Sequence, residues 1–224
     1  MDTRRLFAVC GAALLTLSAG PYVHAGPAQV DTSDAYWFWF EHVGSAKIVR
    51  TDTGISGNIR INVADYVAEP KGLTITLWVV IFNNPGKCLV ENACGDDADF
   101  GNAAVMPDVV YGGGNVVGAS GKATIGFHRK AGDNTGSISD IFFLPTDNGE
   151  GFGLRNPRGA EVHYVIRFHG PKDPAAMPEQ IQSYAGGCVD WAPYGYPFPT
   201  GPDDLYTGPG QCQDVIFAIH SPPE

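Results

Sequence analysis

The chain is poor in basic residues: 14 lysines and arginines stand against 24 aspartates and glutamates, and the formal net charge is −10 over 224 residues. A surface of this sign repels phosphate backbones and anionic lipid headgroups. The composition therefore makes nucleic acid and membrane surfaces poor partners. It suits an exported protein or one that binds cations.

The sequence also lacks the short motifs that identify common enzyme classes. There is no G-x-S-x-G nucleophile elbow, no H-E-x-x-H zinc helix and no phosphate-binding loop. The glycine run 112–114 precedes no amphipathic helix and is predicted to be a flexible turn. The leading prediction is a non-enzymatic protein that binds an unidentified ligand, partner or surface. A hydrolase whose groups converge only in the folded chain stays an alternative.

The apolar run at the N-terminus, residues 6–17, is too short to span a bilayer, which takes about 20 residues. Arg4 and Arg5 precede it, and the segment ends with the small-x-small pattern Val23-His24-Ala25. This order is typical of a secretory signal peptide. We therefore predict a signal peptide over residues 1–25 and a single secreted or periplasmic domain over 26–224, with no membrane insertion after cleavage.

Cysteine is scarce, and the predicted mature domain keeps four cysteines, Cys88, Cys94, Cys188 and Cys212. An even number in an exported protein indicates disulfides, and four cysteines allow three pairings. We predict Cys88–Cys94, which closes a small loop, and Cys188–Cys212, which closes a larger loop rich in proline and glycine. The spacings differ from the paired short spacings of zinc ribbons.

Glycine and proline are abundant, at 29 and 17 residues, as in chains with many strands joined by turns. Alternating or continuous apolar runs predict strands over residues 36–41, 59–63, 73–82, 122–129, 161–169 and 214–220. One short helix is predicted after Asp173, with Met177, Ile181 and Tyr184 on one face. The predicted fold is all-β: a β-sandwich of Greek-key or jelly-roll type, or a barrel, with one short helix and two disulfides.

One predicted strand carries an unusual polar face. Over residues 161–169, alternation places Glu161, His163, Arg167 and His169 on one side and apolar residues on the other. His163 and His169 are about 20 Å apart along a regular strand, so they cannot share an ion unless the strand bulges. These polar side chains either form a site or are buried groups bonded to backbone.

His169 and His220 form the more plausible histidine pair because each one ends a predicted strand. If the two strands are parallel neighbours, the imidazoles meet; if they are antiparallel, His169 faces Asp214. Binding of a divalent copper or zinc ion by His169, His220 and His163 is therefore an alternative function. Glu161 would then orient one imidazole by accepting a hydrogen bond from its non-ligating ring nitrogen.

Acidic residues cluster at Asp96, Asp97 and Asp99, next to the predicted Cys88–Cys94 loop. Calcium takes several oxygen ligands from a loop that contains glycine, so these three are candidate calcium ligands. The segment does not match the twelve-residue calcium loop, and solvated turn carboxylates are the alternative.

Aromatic residues cluster over residues 36–39 and again over 191–198. Flat rings with polar tips suit a surface on which a carbohydrate stacks. Core packing is the favoured interpretation for the first cluster. The second cluster belongs to a long loop, 191–211, whose length is typical of a functional or disordered segment.

Four segments share features with a known family: WVVIFNNP followed by Cys88, the turn 118–122, the segment GAEVHYVIRFHGP ending at Pro171, and 212–220. Over residues 70–220 the chain resembles a family of exported bacterial proteins without an assigned activity. The resemblance implies a single secreted β domain and carries no activity over. The strand ending His169-Gly170-Pro171 is also faintly similar to chordin-type β domains.

Overall fold

Antiparallel strands form most of the regular structure in the computed structural model, which describes residues 26–37, 41–67, 69–188 and 212–223. The strands are β1 (Gln29–Trp37), β2 (Glu41–Thr51), β3 (Gly54–Asn62), β4 (Leu73–Phe82), β5 (Pro107–Val116), β6 (Lys122–Lys130), β7 (Glu161–Pro171) and β8 (Gln213–His220). Two short α-helices, α1 (Asp97–Phe100) and α2 (Met177–Gln180), and a 3-10 helix (Pro85–Lys87) lie in the connections. The all-β prediction is confirmed.

The eight strands form one continuous sheet in the order β5-β4-β7-β8-β1-β2-β3-β6, with every neighbouring pair antiparallel. The sheet curls until its edge strands approach each other, and Asn115 Nδ2 on β5 donates to the Thr124 carbonyl on β6 at 2.9 Å. The result is nearly barrel-shaped. The predicted sandwich requires two sheets, whereas the described strands form one. Alternation marks a buried face in either architecture and does not say how strands join.

The sheet buries apolar side chains on both faces at its centre. One core draws residues from all eight strands, among them Trp37, Ile48, Ile75 and Phe168. A second core covers the opposite face of β4, where Trp78 and its neighbours pack under connecting segments. All ten residues of β4 are consequently buried, as its continuous apolar sequence predicts.

The glycine run 112–114 lies inside β5 and is not the predicted turn. A Cβ atom on Gly114 would lie 2.1 Å from the Ile181 carbonyl oxygen, and one on Gly112 would lie 2.9 Å from a Leu77 side-chain carbon. Glycine is required here because the chain after α2 packs directly on the strand. The run therefore serves close approach rather than flexibility.

The predicted strand 36–41 is divided between two strands. Trp37 ends β1, Glu41 begins β2, and the two residues face each other across an antiparallel pair. Residues 38–40 lie outside the described part of the chain, as do the predicted signal peptide and the aromatic loop 191–211.

The described residues contain two short α-helices where one was predicted. Helix α2 ends at Gln180, so Ile181 and Tyr184 follow the helix instead of continuing its apolar face. Helix α1 begins within the acidic cluster. A four-residue helix is set by its cap, so hydrophobic periodicity did not reveal it.

Both predicted disulfides are present. Cys88 pairs with Cys94, and Cys188 with Cys212, at Cα–Cα distances of 5.4 and 5.3 Å. Such bonds persist in oxidising compartments, which indicates a location outside the cytoplasm. In the described part of the chain, no helix has the length and apolarity needed to cross a membrane.

Candidate functional site

The predicted histidine pair does not form, because β7 and β8 are antiparallel. His220 lies opposite Val162, near the start of β7, whereas His169 lies near its end. A bulge after Ile166 then places Arg167, rather than His169, opposite Asp214. The two arrangements that the sequence left open are therefore both corrected: His169 meets neither His220 nor Asp214 across the sheet. The His220 ring contacts Tyr164. His163 precedes Tyr164 on β7 and therefore lies on the other face of the sheet, away from His220.

The acidic cluster forms a helix cap. Asp96 caps α1, and buried Asp99 accepts backbone N–H groups of Leu89 and Gly95 at 2.6 and 2.9 Å, one with each carboxylate oxygen. Asp97 is exposed. In the described residues these carboxylates do not gather into a metal-binding group, so the geometry is that of a cap and not of the predicted calcium site.

One group with metal-ligand chemistry does occur in the described residues: His169, Cys188 and Cys212, whose ligand atoms all lie within 4.8 Å of one another. The two sulfur atoms are joined in the disulfide. Thiolate is the form of cysteine that binds metal, so the oxidised protein offers a single imidazole here. The group is structural in this state.

His169 is held by hydrogen bonds on both ring nitrogens. Nδ1 lies 3.1 Å from the Gly186 carbonyl oxygen and 3.0 Å from Cys212 Sγ, and Nε2 lies 2.9 Å from Thr76 Oγ1. A carbonyl oxygen only accepts, so Nδ1 donates and Nε2 accepts from the Thr76 hydroxyl. Trp78 Nε1 donates to Thr76 in turn. The chain of bonds is complete with a neutral imidazole.

We expect His169 to make the fold sensitive to acid. Burial lowers its pKa from the ordinary 6.5 to about 4. Between these values the unfolded chain binds more protons than the folded protein, so the free energy of unfolding falls as pH drops from about 6.5 to about 4. The expected loss is roughly 3 kcal/mol.

Urea denaturation at several pH values measures this contribution. His169→Gln is expected to flatten the slope between pH 6.5 and 4, whereas His42→Gln is expected to leave it intact because the His42 side chain is 60% exposed. An unchanged slope in His169→Gln would contradict the assignment.

A cavity of about 270 Å³ lies on the outer face of β4, β7 and β8. Its walls come from the strands and from the segments that cover them: Trp78, Val80, Cys94, Gly95, Phe100, Val109, Phe142, His163, Val165, Tyr184, Asp214, Phe217 and Ile219. Aromatic and aliphatic groups dominate, and His163 and Asp214 supply charge and polarity.

His163 is paired with a buried carboxylate. Its Nε2 lies 2.7 Å from Glu161 Oε1, and the same oxygen accepts the Cys94 backbone N–H at 2.9 Å. An ionised carboxylate only accepts, so Nε2 carries a proton and Nδ1 of a neutral ring is an acceptor. Within the described residues neither Nδ1 of His163 nor the buried Glu161 Oε2 has a hydrogen-bond partner.

Asp214 is the centre of a second polar group. It accepts from Arg167 Nη1 at 2.9 Å and from the Tyr184 hydroxyl at 2.6 Å. The Arg167 guanidinium also lies over the Tyr184 ring, 4.0 Å from its centroid. The Asp214 side chain remains 29% exposed, so it keeps capacity to accept from a molecule in the cavity.

Sequence reasoning identified part of this site. Alternation placed Glu161, His163 and Arg167 on one face of β7, and Glu161 does orient an imidazole, that of His163. Asp214 and Tyr184 were missed as partners of Arg167, because nothing in the spacing shows that the chain after α2 packs against β7 and β8. The loop 191–211, which was predicted to contribute to binding, lies outside the described residues.

No protein-family model, no curated protein and no solved structure matches this chain. The site is therefore interpreted from its own chemistry.

Proposed function

We propose that this chain is an exported binding protein, released after cleavage of residues 1–25, that holds a small ring compound in the cavity beside His163 and Asp214. The observation that carries the proposal is an aromatic-walled cavity with two polar groups that retain hydrogen-bonding capacity. Mostly apolar pockets with a few placed polar groups are the usual form of small-molecule sites.

The size of the cavity limits the ligand. Drug-sized molecules occupy pockets of about 300–1,000 Å³, and this cavity, at about 270 Å³, lies just below that range. A single ring with a short substituent fits. Phe217 and Phe100 line the cavity and are partly exposed, so they offer apolar ring surface against which such a ring packs.

The polar groups limit its chemistry further. The Asp214 carboxylate is an acceptor that stays partly exposed, so a ligand that brings a donor satisfies it. A hydroxyl or a protonated amine does so, whereas a carboxylate would meet Asp214, which lines the cavity, as a like charge. The net charge of −10 also favours neutral or cationic ligands over anions.

Calorimetric titration with benzyl alcohol, benzylamine and benzoate tests the proposal. The first two are expected to bind and benzoate is not. Val165→Trp is expected to raise Kd at least about tenfold, a loss of about 1.4 kcal/mol. The larger ring fills the cavity, since Val165 lies opposite both Trp78 on β4 and Phe217 on β8.

The matched control is Val30→Trp, which adds the same ring at a site that is 59% exposed and outside the cavity; its Kd should equal that of the wild type. Absence of saturable binding to either donor-bearing ring, or equal Kd values for Val165→Trp and wild type, would rule out this site.

A further inference from the structure

On the opposite face of β8, His220 contacts two side chains of β1, 187 and 189 positions away in the sequence. His220 Nδ1 lies 2.8 Å from Asp31 Oδ2, and His220 Nε2 lies 3.5 Å from Ser33 Oγ. A serine, a histidine and a carboxylate in this order form the constellation that activates a serine hydroxyl for acyl transfer.

The sheet topology brings them together. Asp31 and Ser33 lie two residues apart on β1, so both point to the same face as buried Ala35. Among the described residues, β1 pairs with β8 at Tyr36 and Trp37 alone. The residues of β1 before Tyr36 therefore meet β8 through side chains and not through backbone pairing. A cavity of about 480 Å³, lined in part by Asp31 and Ser33, opens there.

The hydrogen-bond directions agree with a base and its orienting group. A carboxylate accepts, so His220 donates from Nδ1 to Asp31 and presents the Nε2 lone pair to the Ser33 hydroxyl. His220 is fully buried, and burial lowers its pKa. The imidazole is consequently neutral, as a general base must be.

Arg50 adds positive charge to the same cavity. It lines the wall, and its Nη2 donates to the backbone oxygens of His220 and Ser221 at 3.2 and 3.5 Å. Arg50 therefore acts as a positioning residue for His220. Its charge also favours the oxyanion that develops when an acyl carbon is attacked.

We infer that Ser33, His220 and Asp31 form a catalytic triad that hydrolyses small carboxylic esters, at a site separate from the proposed ligand cavity. Ser33 Oγ attacks the acyl carbon while its proton passes to His220 Nε2. The bond from the acyl carbon to the alkoxy oxygen breaks, and His220 returns the proton to the departing alcohol. Water then attacks the acyl carbon while its proton passes to His220 Nε2; the bond from the acyl carbon to Ser33 Oγ breaks, His220 returns the proton to Ser33 Oγ, and the carboxylic acid leaves.

Hydrolysis of p-nitrophenyl acetate and covalent labelling by a fluorophosphonate, located by peptide mass spectrometry, test the inference in the oxidised protein. The wild type is expected to turn over the ester and to carry the label on Ser33. Ser33→Ala is expected to lose both. Asp31→Asn, at a side chain that is 52% exposed, should lower kcat roughly 100-fold or more. These two variants need no change at buried His220.

The chain contains a matched control. Ser56 Oγ lies 2.9 Å from His128 Nδ1 at an exposed site, and no described carboxylate bonds to that imidazole. Ser56→Ala is therefore expected to keep wild-type turnover and labelling. Turnover that survives in Ser33→Ala, a label on another residue, or a wild type with neither activity nor label would each overturn the triad.

Discussion

Replacing Arg50 by alanine is expected to lower the free energy of unfolding by about 4 kcal/mol. The side chain is 1% exposed and joins three parts of the fold. Nη1 donates to the carbonyls of Pro157 and Ala160 at 3.2 and 2.7 Å, and Nη2 donates to those of His220 and Ser221. Alanine would leave the buried carbonyls of Pro157, Ala160 and His220 without these donors and open a cavity.

Urea denaturation at neutral pH measures the loss. Arg60→Ala on β3 is the matched control, because Arg60 is exposed and its truncation is expected to stay within about 0.5 kcal/mol of wild type. The free energy of unfolding of Arg50→Lys should lie between those of Arg50→Ala and Arg60→Ala, because one ammonium group cannot reach the carbonyls on both sides. A loss below about 1 kcal/mol in Arg50→Ala would show that the carbonyls find other partners.

Removing the Cys188–Cys212 disulfide is expected to cost roughly 3–4 kcal/mol. The bond joins residues 24 positions apart, and on the chain-entropy account a crosslink stabilises the fold more as its loop lengthens. Cys212 is also 2% exposed and touches His169. The double variant Cys188→Ala/Cys212→Ala, unfolded in urea, measures the effect.

The second disulfide serves as the comparison. Cys88 and Cys94 are six positions apart, so Cys88→Ala/Cys94→Ala should cost roughly 2 kcal/mol. Equal losses in the two double variants, or a larger loss for the shorter loop, would contradict a loop-length origin and point to local packing instead.

The sequence predicted the strands best where one strand is buried on both faces or alternates strictly. The run at 73–82 became β4 with the same bounds, and the alternation over 161–169 gave the two faces of β7 as observed. Side-chain direction in a strand depends only on residue parity, so these inferences needed no knowledge of neighbours.

The sequence-based predictions were wrong where a contact depended on the direction or register of an adjacent strand, or on a distant chain segment. His169 and His220 end different strands, but whether they meet depends on strand direction, and the observed bulge after Ile166 shifts the register by a further residue. The prediction of a turn at the glycine run 112–114 was wrong. Glycine is needed there because Ile181, far along the chain, packs against Gly114.

The sequence by itself determined the all-β class, the two disulfides, the central strands and the net charge of −10, because each follows from residue type, parity or count along the chain. Only the tertiary structure decided that the strands form a single curled sheet. It also decided that Glu161 supports His163 and that Arg167 meets Asp214. Asp31 and Ser33 meet His220, 187 or more positions away. These pairings depend on strand order and register, which arise from long-range contacts and leave no local pattern in the chain.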